Sequence, residues 1–446
     1  MKTRVAFVLI ASTVAAFTAG CAVGPAPAGA AGSGGVAAAA GVGTGGTSAG
    51  SGGAGPVGVA GGTGGGGVVA GVPTTRDASA YAQTAGARFT YPQNHRFASC
   101  PNFPAYDTDQ VYHGYQNWKS KMYSGGRVIR IENGNDTVSE GIGYGMLAAV
   151  YFNDQMVFDT LWSYAQAHQN QNGLMNWHYT AAGAIASDGQ NGATDADEDM
   201  AYALVMAASQ WGPATKSYLQ MATTLITSIW DHEVDHAGGE VLKPGDNFGG
   251  VSQTNPSYFA PSYYRIFGQV TGNAAGWQKV IDKSYQILAA TTGSYGLVPD
   301  WCDASGSRLM GGAFGYDACR TPWRIALDYC QNAEPRAKAY LDKVNAFFTP
   351  KRLDQLFDGY TQDGVLSGNK CNNSACIAGM SFYGPAGVAS MAGSYPLFVK
   401  QTYTSMVGAT SDAYVNSPNI FSYYHASWGV LSMLVMSGNF FDYTHP

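Results

Sequence analysis

From about residue 91 to the C-terminus, apolar positions recur at three- and four-residue spacing, the period of a helix that buries one face. The pattern predicts helices over 144–151, 197–211, 218–229, 256–267, 274–290, 322–329, 334–348, 385–392, 397–407 and 423–436. Loops rich in Gly, Pro and Asn separate them, so the fold class is all-α. Helices of this length joined by long loops carrying Trp, Tyr, Asp and Asn suggest a toroid of helical hairpins. In such a toroid the helices cover a core and the loops build a groove at one end. No repeat, low-complexity stretch or charge run divides residues 90–446, which are expected to form one domain.

The pattern changes before residue 90. Residues 1–21 place Lys2 and Arg4 before an apolar run from Val5 to Phe17, then Thr18-Ala19-Gly20-Cys21. Charged, apolar and small-residue regions in that order form an export signal. Cys21 after Ala-Gly resembles a bacterial lipobox, in which that cysteine is lipidated, so the expected location is secreted or at the cell surface, with a lipid on Cys21 as the only membrane attachment. Residues 22–75 are almost wholly small and uncharged, too poor in apolar bulk to offset the entropy of ordering, and are expected to be a flexible tether. No later stretch reaches the roughly 20 apolar residues of a spanning helix.

Charge and cysteines narrow the function classes. The chain has 24 Lys and Arg against 30 Asp and Glu, and residues 1–72 contain only two of these, both basic, which leaves the body 22 basic against 30 acidic. With no basic stripe, nucleic acid is not an expected partner. Setting Cys21 aside, Cys100, Cys302, Cys319, Cys330, Cys371 and Cys376 allow three disulfides in an exported chain, and Cys371 and Cys376 flank a short polar loop that could close on itself. No Cys-x-x-Cys or histidine cluster accompanies them, so no metal and no cofactor is expected.

Three carboxylate motifs carry the chemistry. In the first, Glu140 lies between Ser139 and the alternating glycines Gly141, Gly143 and Gly145, which would let the backbone approach a ligand. The plainer alternative is a helix cap. This is not a dinucleotide loop, because Gly-x-Gly-x-Gly is the wrong spacing and no strand pattern precedes it. The second motif is Asp195-Ala196-Asp197-Glu198-Asp199 at the entry of a helix with the stripe Met200, Leu204, Ala207 and Trp211. Asp195 and Asp199 are a like-charge i,i+4 pair that an isolated helix disfavours. A calcium loop fails at Met200, where glycine is needed, and at Met206, where Glu is needed. The third is Tyr316-Asp317-Ala318-Cys319-Arg320, ahead of a helix expected to start with Thr321 as cap and Pro322 in its first turn. Its plainer alternative is a loop-fixing Asp317–Arg320 ion pair.

Carboxylates on loop-to-helix junctions suit glycoside hydrolysis, which requires an acid for the leaving oxygen and a base or nucleophile on the opposite face of the sugar. The 28 Tyr and 9 Trp supply faces for sugar rings. Trp177, Tyr258, Tyr264, Trp301 and the Tyr423-Tyr424 pair are the candidates.

These segments resemble glycoside hydrolase family 8 over about residues 105–440. The span from Ala193 to Trp211 fits the family signature, and Ser139-Glu140-Gly141, Asn255-Pro256-Ser257-Tyr258-Phe259, Pro299-Asp300-Trp301 and Tyr316-Asp317-Ala318-x-Arg320 follow in family order. The resemblance implies an (α/α)6 barrel and an inverting endo-β-1,4-glucanase. By it Glu140 is the general acid, Asp317 the base, and Asp195 the residue that grips and distorts the sugar. Arg320 would orient Asp317 or the sugar, and Tyr316 and Tyr424 would line the cleavage site. Cys319, beside the base, is a departure that could stiffen this loop through a disulfide. The expected partner is a β-linked polysaccharide or oligosaccharide met by a monomer. Within the family a chitosanase, favoured by the acidic body, or a xylan-active enzyme is the alternative. Outside it, an inactive glycan-binding lipoprotein would not need all three carboxylates, and a polysaccharide lyase would need a groove charged for uronic acids.

Overall fold

The computed structural model describes residues 81–104, 107–212, 217–367 and 379–446. The export signal with Cys21, the tether, and Cys371 and Cys376 lie outside the described residues. Among those described, twelve α-helices form: α1 Thr108–Met122, α2 Ser139–Tyr151, α3 Gln155–Ala167, α4 Thr194–Trp211, α5 Tyr218–Glu233, α6 Pro261–Thr271, α7 Ala274–Thr291, α8 Thr321–Asn332, α9 Pro335–Phe348, α10 Met380–Ser390, α11 Pro396–Ala409 and α12 Tyr423–Met436.

Two kinds of helix alternate. In α2, α10 and α12 almost every side chain is buried, and in α4 all but a few at its C-terminal end, whereas α1, α3, α5, α7, α9 and α11 bury one stripe and expose the other face. A helix enclosed all round belongs inside, and an amphipathic one belongs in an outer layer. The packing follows that division. The even-numbered helices touch in the closed order α2, α4, α6, α8, α10, α12 and back to α2, and each is backed by an odd-numbered neighbour: α3 on α2, α5 on α4, α7 on α6, α9 on α8, α11 on α10 and α1 on α12. Six inner and six outer helices make the (α/α)6 barrel.

The sequence pattern located ten of these helices and left out α1 and α3. In α1 the buried stripe mixes Gly114 and Asn117 with Val111, Tyr115, Trp118 and Met122, so non-apolar letters interrupt it. The segment 256–267 is not one helix: Pro256–Tyr258 is a single 3₁₀ turn, and α6 starts afresh at Pro261, since each proline removes a backbone donor and favours a first turn. Pro385 lies inside α10 rather than at its start.

Three two-residue antiparallel pairs brace the loops at the rim: β1 (Tyr123–Ser124) with β2 (Arg127–Val128), β3 (Thr137–Val138) with β4 (His178–Tyr179), and β5 (Val234–Asp235) with β6 (Val241–Leu242). β3 runs straight into α2, so a short strand does precede the Glu140 motif.

The cysteines differ from the three-disulfide expectation. Cys100 and Cys330 are bonded, tying the segment before α1 to α8, while Cys302 and Cys319 are free and buried. Cys319 does not staple its loop: its thiol donates to the Tyr316 carbonyl at 3.1 Å and stands 4.0 Å from the Tyr424 hydroxyl.

Candidate active site

The three motifs meet at one end of the inner ring. Glu140 is in the first turn of α2 and Asp195 in the first turn of α4. Asp317 precedes the 3₁₀ turn Ala318–Arg320 that leads into α8, and Tyr423 and Tyr424 open α12. None of α2, α4 and α8 has a side-chain cap. The Ser139 and Thr321 hydroxyls are buried without partners, so Thr321 is not the expected cap. The first-turn carboxylates of α2 and α4, Glu140 and Asp195, face the neighbouring motifs instead.

The glycines of the first motif serve packing rather than ligand approach. An added Cβ on Gly141 would stand 3.0 Å from the Tyr423 hydroxyl, on Gly143 3.0 Å from Asp199 Cβ, and on Gly145 2.6 Å from Leu161. They bring α2 against α12, α4 and α3, and so bring Glu140 within reach of groups on those helices.

Arg320 is the hub. Its side chain is 1% exposed and pairs with all three carboxylates: Nη1 donates to Glu140 Oε2 at 3.1 Å and to Asp195 Oδ2 at 2.5 Å, and Nη2 donates to Asp317 Oδ1 at 2.6 Å. Its guanidinium lies 5.1 Å over the Tyr258 ring. The plainer Asp317–Arg320 ion pair is therefore present, as one arm of a larger arrangement. Glu140 and Asp317 thus bond to different nitrogens of one guanidinium, which holds the two carboxyls apart without direct contact. Glu140 and Asp317 keep 23% and 25% of their side chains open, Asp195 only 5%.

The like-charge pair Asp195 and Asp199 now has its reason. Asp195 meets Arg320, and one turn on, Asp199 accepts two bonds from Arg324 at 2.5 and 2.9 Å. Two arginines four residues apart match two aspartates four residues apart.

Burial raises the Glu140 and Asp317 carboxyls. Glu140 is pushed up to about 7, chiefly by removal from water, with Arg320 opposing and Asp195 reinforcing. Asp317 is also raised to about 7 by burial, against Arg320 and with Asp300 and Asp195 adding to the rise. One guanidinium does not balance three ionised carboxylates in a closed space, so a proton stays in the cluster. Glu140 has the longest of the three contacts to the cation and is further held by hydroxyl donors, Tyr423 at 3.0 Å and Tyr144 at 3.2 Å.

The aromatic candidates divide. Tyr264 is a correction: it is fully buried, its hydroxyl donates to Glu198 at 3.0 Å, and its ring stacks on Trp277, so it belongs to the core. Tyr423 presents no platform either; its hydroxyl serves Glu140. Tyr258 and Trp301 are mostly buried and meet edge to face at 6.3 Å. Trp177, Tyr316 and Tyr424 keep partly exposed rings. The Trp177 carbonyl accepts the Ser139 N–H at 2.8 Å, seating that ring beside the start of α2. Tyr316 donates to Asp358 at 2.8 Å, and Tyr424 donates to the Tyr316 carbonyl at 2.5 Å. Sequence reasoning missed the hydroxyls of Tyr144 and Tyr423 as partners of Glu140. The i,i+4 spacing of Glu140 and Tyr144 was the available signal for one; nothing local marks the other. A cavity of about 430 Å³ between α7 and α9, lined by Tyr285, Tyr340 and Arg336, lies on the outer layer and contains none of this chemistry.

A ring of helical hairpins whose inner helix starts converge on buried carboxyls, an arginine fork and partly open aromatic rings defines a glycoside hydrolase of the (α/α)6 class. Residues 100–436 match Glycosyl hydrolases family 8, and the chain belongs to that family. It is 43% identical over 341 residues to Endoglucanase A of Acetivibrio thermocellus, covering 73% of this chain and 68% of that one. It is 40% identical over 338 residues to Endoglucanase 2 of Ruminiclostridium josui, covering 73% and 70%. The apo structure of a Beta-1,3-1,4-glucanase from Paenibacillus sp. X4 superposes with a TM-score of 0.69 at 32% identity, covering 78% of this chain and 98% of that one.

Proposed function

We propose that this protein is an inverting endo-β-1,4-glucanase acting on cellulose-type and mixed-linkage β-glucans, with Glu140 as acid and Asp317 as base. The observation that carries the assignment is the unequal grip of Arg320 on the three carboxylates. Asp317, held at 2.6 Å, gives up its proton first, and Glu140, held at the longer 3.1 Å, keeps its own. Both are the more open members of the trio.

Glu140 donates its proton to the glycosidic oxygen as the C1–O bond breaks. Asp317 takes a proton from a water that attacks C1 from the opposite face, so the new hydroxyl has the inverted configuration. Solvent then returns the proton from Asp317 to Glu140. Asp195, with one oxygen on Arg320, grips and distorts the sugar at the cleavage point, and Trp177, Tyr258, Trp301, Tyr316 and Tyr424 line its path. The relatives' names support a glucan substrate, and the Paenibacillus glucanase supports the mixed-linkage one.

Export, a lipid on Cys21, a tether over residues 22–75 and monomeric action belong to the same proposal. The Cys100–Cys330 bond supports an oxidising compartment.

The test is the product pattern of wild type and Glu140→Gln on carboxymethyl cellulose, mixed-linkage β-glucan, xylan and chitosan. Oligosaccharides from the two glucans, released at least about 100-fold more slowly by the variant with binding retained, are expected on the roughly 10²–10⁴-fold worth of an acid catalyst and the loss of its proton. Release from chitosan or xylan alone moves the substrate, and near-normal turnover by Glu140→Gln removes that residue from the acid role.

A further inference from the structure

The loop that carries Asp317 is held by a carboxylate to which neither the motifs nor the family comparison assigns a role. Asp300 Oδ1 accepts three backbone N–H groups: Gly315 at 3.0 Å, Asp317 itself at 3.1 Å and Ala318 at 2.7 Å. The Asp300 N–H in turn donates to the Ala313 carbonyl at 2.7 Å, so main chain and side chain of one residue bind both ends of the stretch 313–318. The approach is close. A Cβ on Gly315 would stand 2.4 Å from Asp300 Oδ2, a contact that only glycine permits.

We propose that Asp300 is the positioning residue for the base, fixing the main chain at Asp317 so that its carboxylate faces the cleavage point across Arg320 from Glu140. This rests on Asp317 being the base. Two of the donors, Asp317 and Ala318, are amides that the start of the 3₁₀ turn leaves without partners in its own backbone, the third, Gly315, belongs to the loop before it, and one carboxylate satisfies all of them at once. Without it the turn is free to rotate, and displacing a catalytic group by about 1 Å costs on the order of 100-fold. Arg320 is at the other end of the same turn. The two ends are therefore clamped by opposite charges, Asp300 on the amides and Arg320 on the Asp317 side chain.

A residue that only filled space here would leave the ionisation of Asp317 alone, whereas Asp300 sits beside it as a like charge. The titratable and charged groups that face Asp317 are Arg320 and Cys319 from its own turn, Asp300 from the preceding loop, Asp195 from α4, Tyr258 from the turn before α6, and Glu140 through Arg320. Among the like charges Asp300 contributes most to raising Asp317. Asp300→Asn retains an oxygen for the amides and removes that charge, so the base ionises at lower pH.

The experiment is the pH profile of kcat and kcat/KM on soluble mixed-linkage β-glucan for wild type, Asp300→Asn, Asp300→Ala and Asp317→Asn. Asp300→Asn is expected to move the acid limb of kcat/KM down by about 0.5–1 pH unit with kcat reduced by no more than about tenfold. Asp300→Ala is expected to lose about 100-fold in kcat with KM changed less than about threefold. If Asp300→Ala fails to fold, the displaced limb of Asp300→Asn is the readout. Wild-type kcat and an unmoved acid limb in the Asp300 variants overturn the positioning role. Normal turnover by Asp317→Asn refutes the base assignment instead, a separate result.

Discussion

Arg320 shows how one side chain divides labour among three others. A buried guanidinium is always charged and presents fixed donor directions, and it holds Asp317 at 2.6 Å against 3.1 Å for Glu140, so the cation favours the ionised form of Asp317 more. Turnover requires Glu140 protonated and Asp317 ionised. Below about 7 Asp317 takes up a proton and the base is lost; above about 7 Glu140 gives up its proton and the acid is lost. kcat/KM is therefore expected to be a bell centred near neutral pH, falling about tenfold per unit on each side, with limbs that belong to the coupled pair rather than to either residue. A flat profile from pH 5 to 9, measured with initial rates on soluble glucan, would contradict that division.

At the scale of elements, the glycines of α2 set distance. Because a Cβ on Gly143 would press on Asp199 Cβ at 3.0 Å and the Ala196 carbonyl at 3.3 Å, Gly143→Ala pushes α2 from α4. The expected loss is about 1–3 kcal/mol of stability from overpacking, with a drop in kcat because Glu140 and Asp195 ride on the two helices. Thermal unfolding and kcat measured together check this, and an unchanged melting temperature would show that the helices have room. The helices themselves were legible because their apolar period is a local property. Asp195 and Asp199 looked unfavourable within α4, since their reason is Arg320, just before α8, and Arg324 on it, both far along the chain. Asp300 was visible only as a member of a motif, because its work is done on backbone amides of a loop that sequence does not fold. Tyr264 misled for the complementary reason: an aromatic ring has the same letter in a core as on a platform, and only its bond to Glu198 decides.

For the whole molecule, closure of the inner ring is what brings motifs 55 and 125 residues apart to one end, since α2, α4 and α8 all present their N-terminal ends there. No internal repeat announces that closure; helix and loop lengths suggested a toroid of hairpins, and the sixfold count was legible only through the family's motifs taken in order. The Cys100–Cys330 bond links residues 230 apart and belongs to the same long-range architecture. The central claim is that Glu140 and Asp317 act from opposite faces of the sugar with a water between the base and C1. The most direct measurement is the anomeric form of the first product, read by NMR within minutes of adding wild-type enzyme to a soluble β-1,4-linked oligosaccharide. Inversion predicts the α-anomer first, drifting to the equilibrium mixture; a β-anomer as first product would place Asp317 in contact with C1 and contradict the water-mediated mechanism.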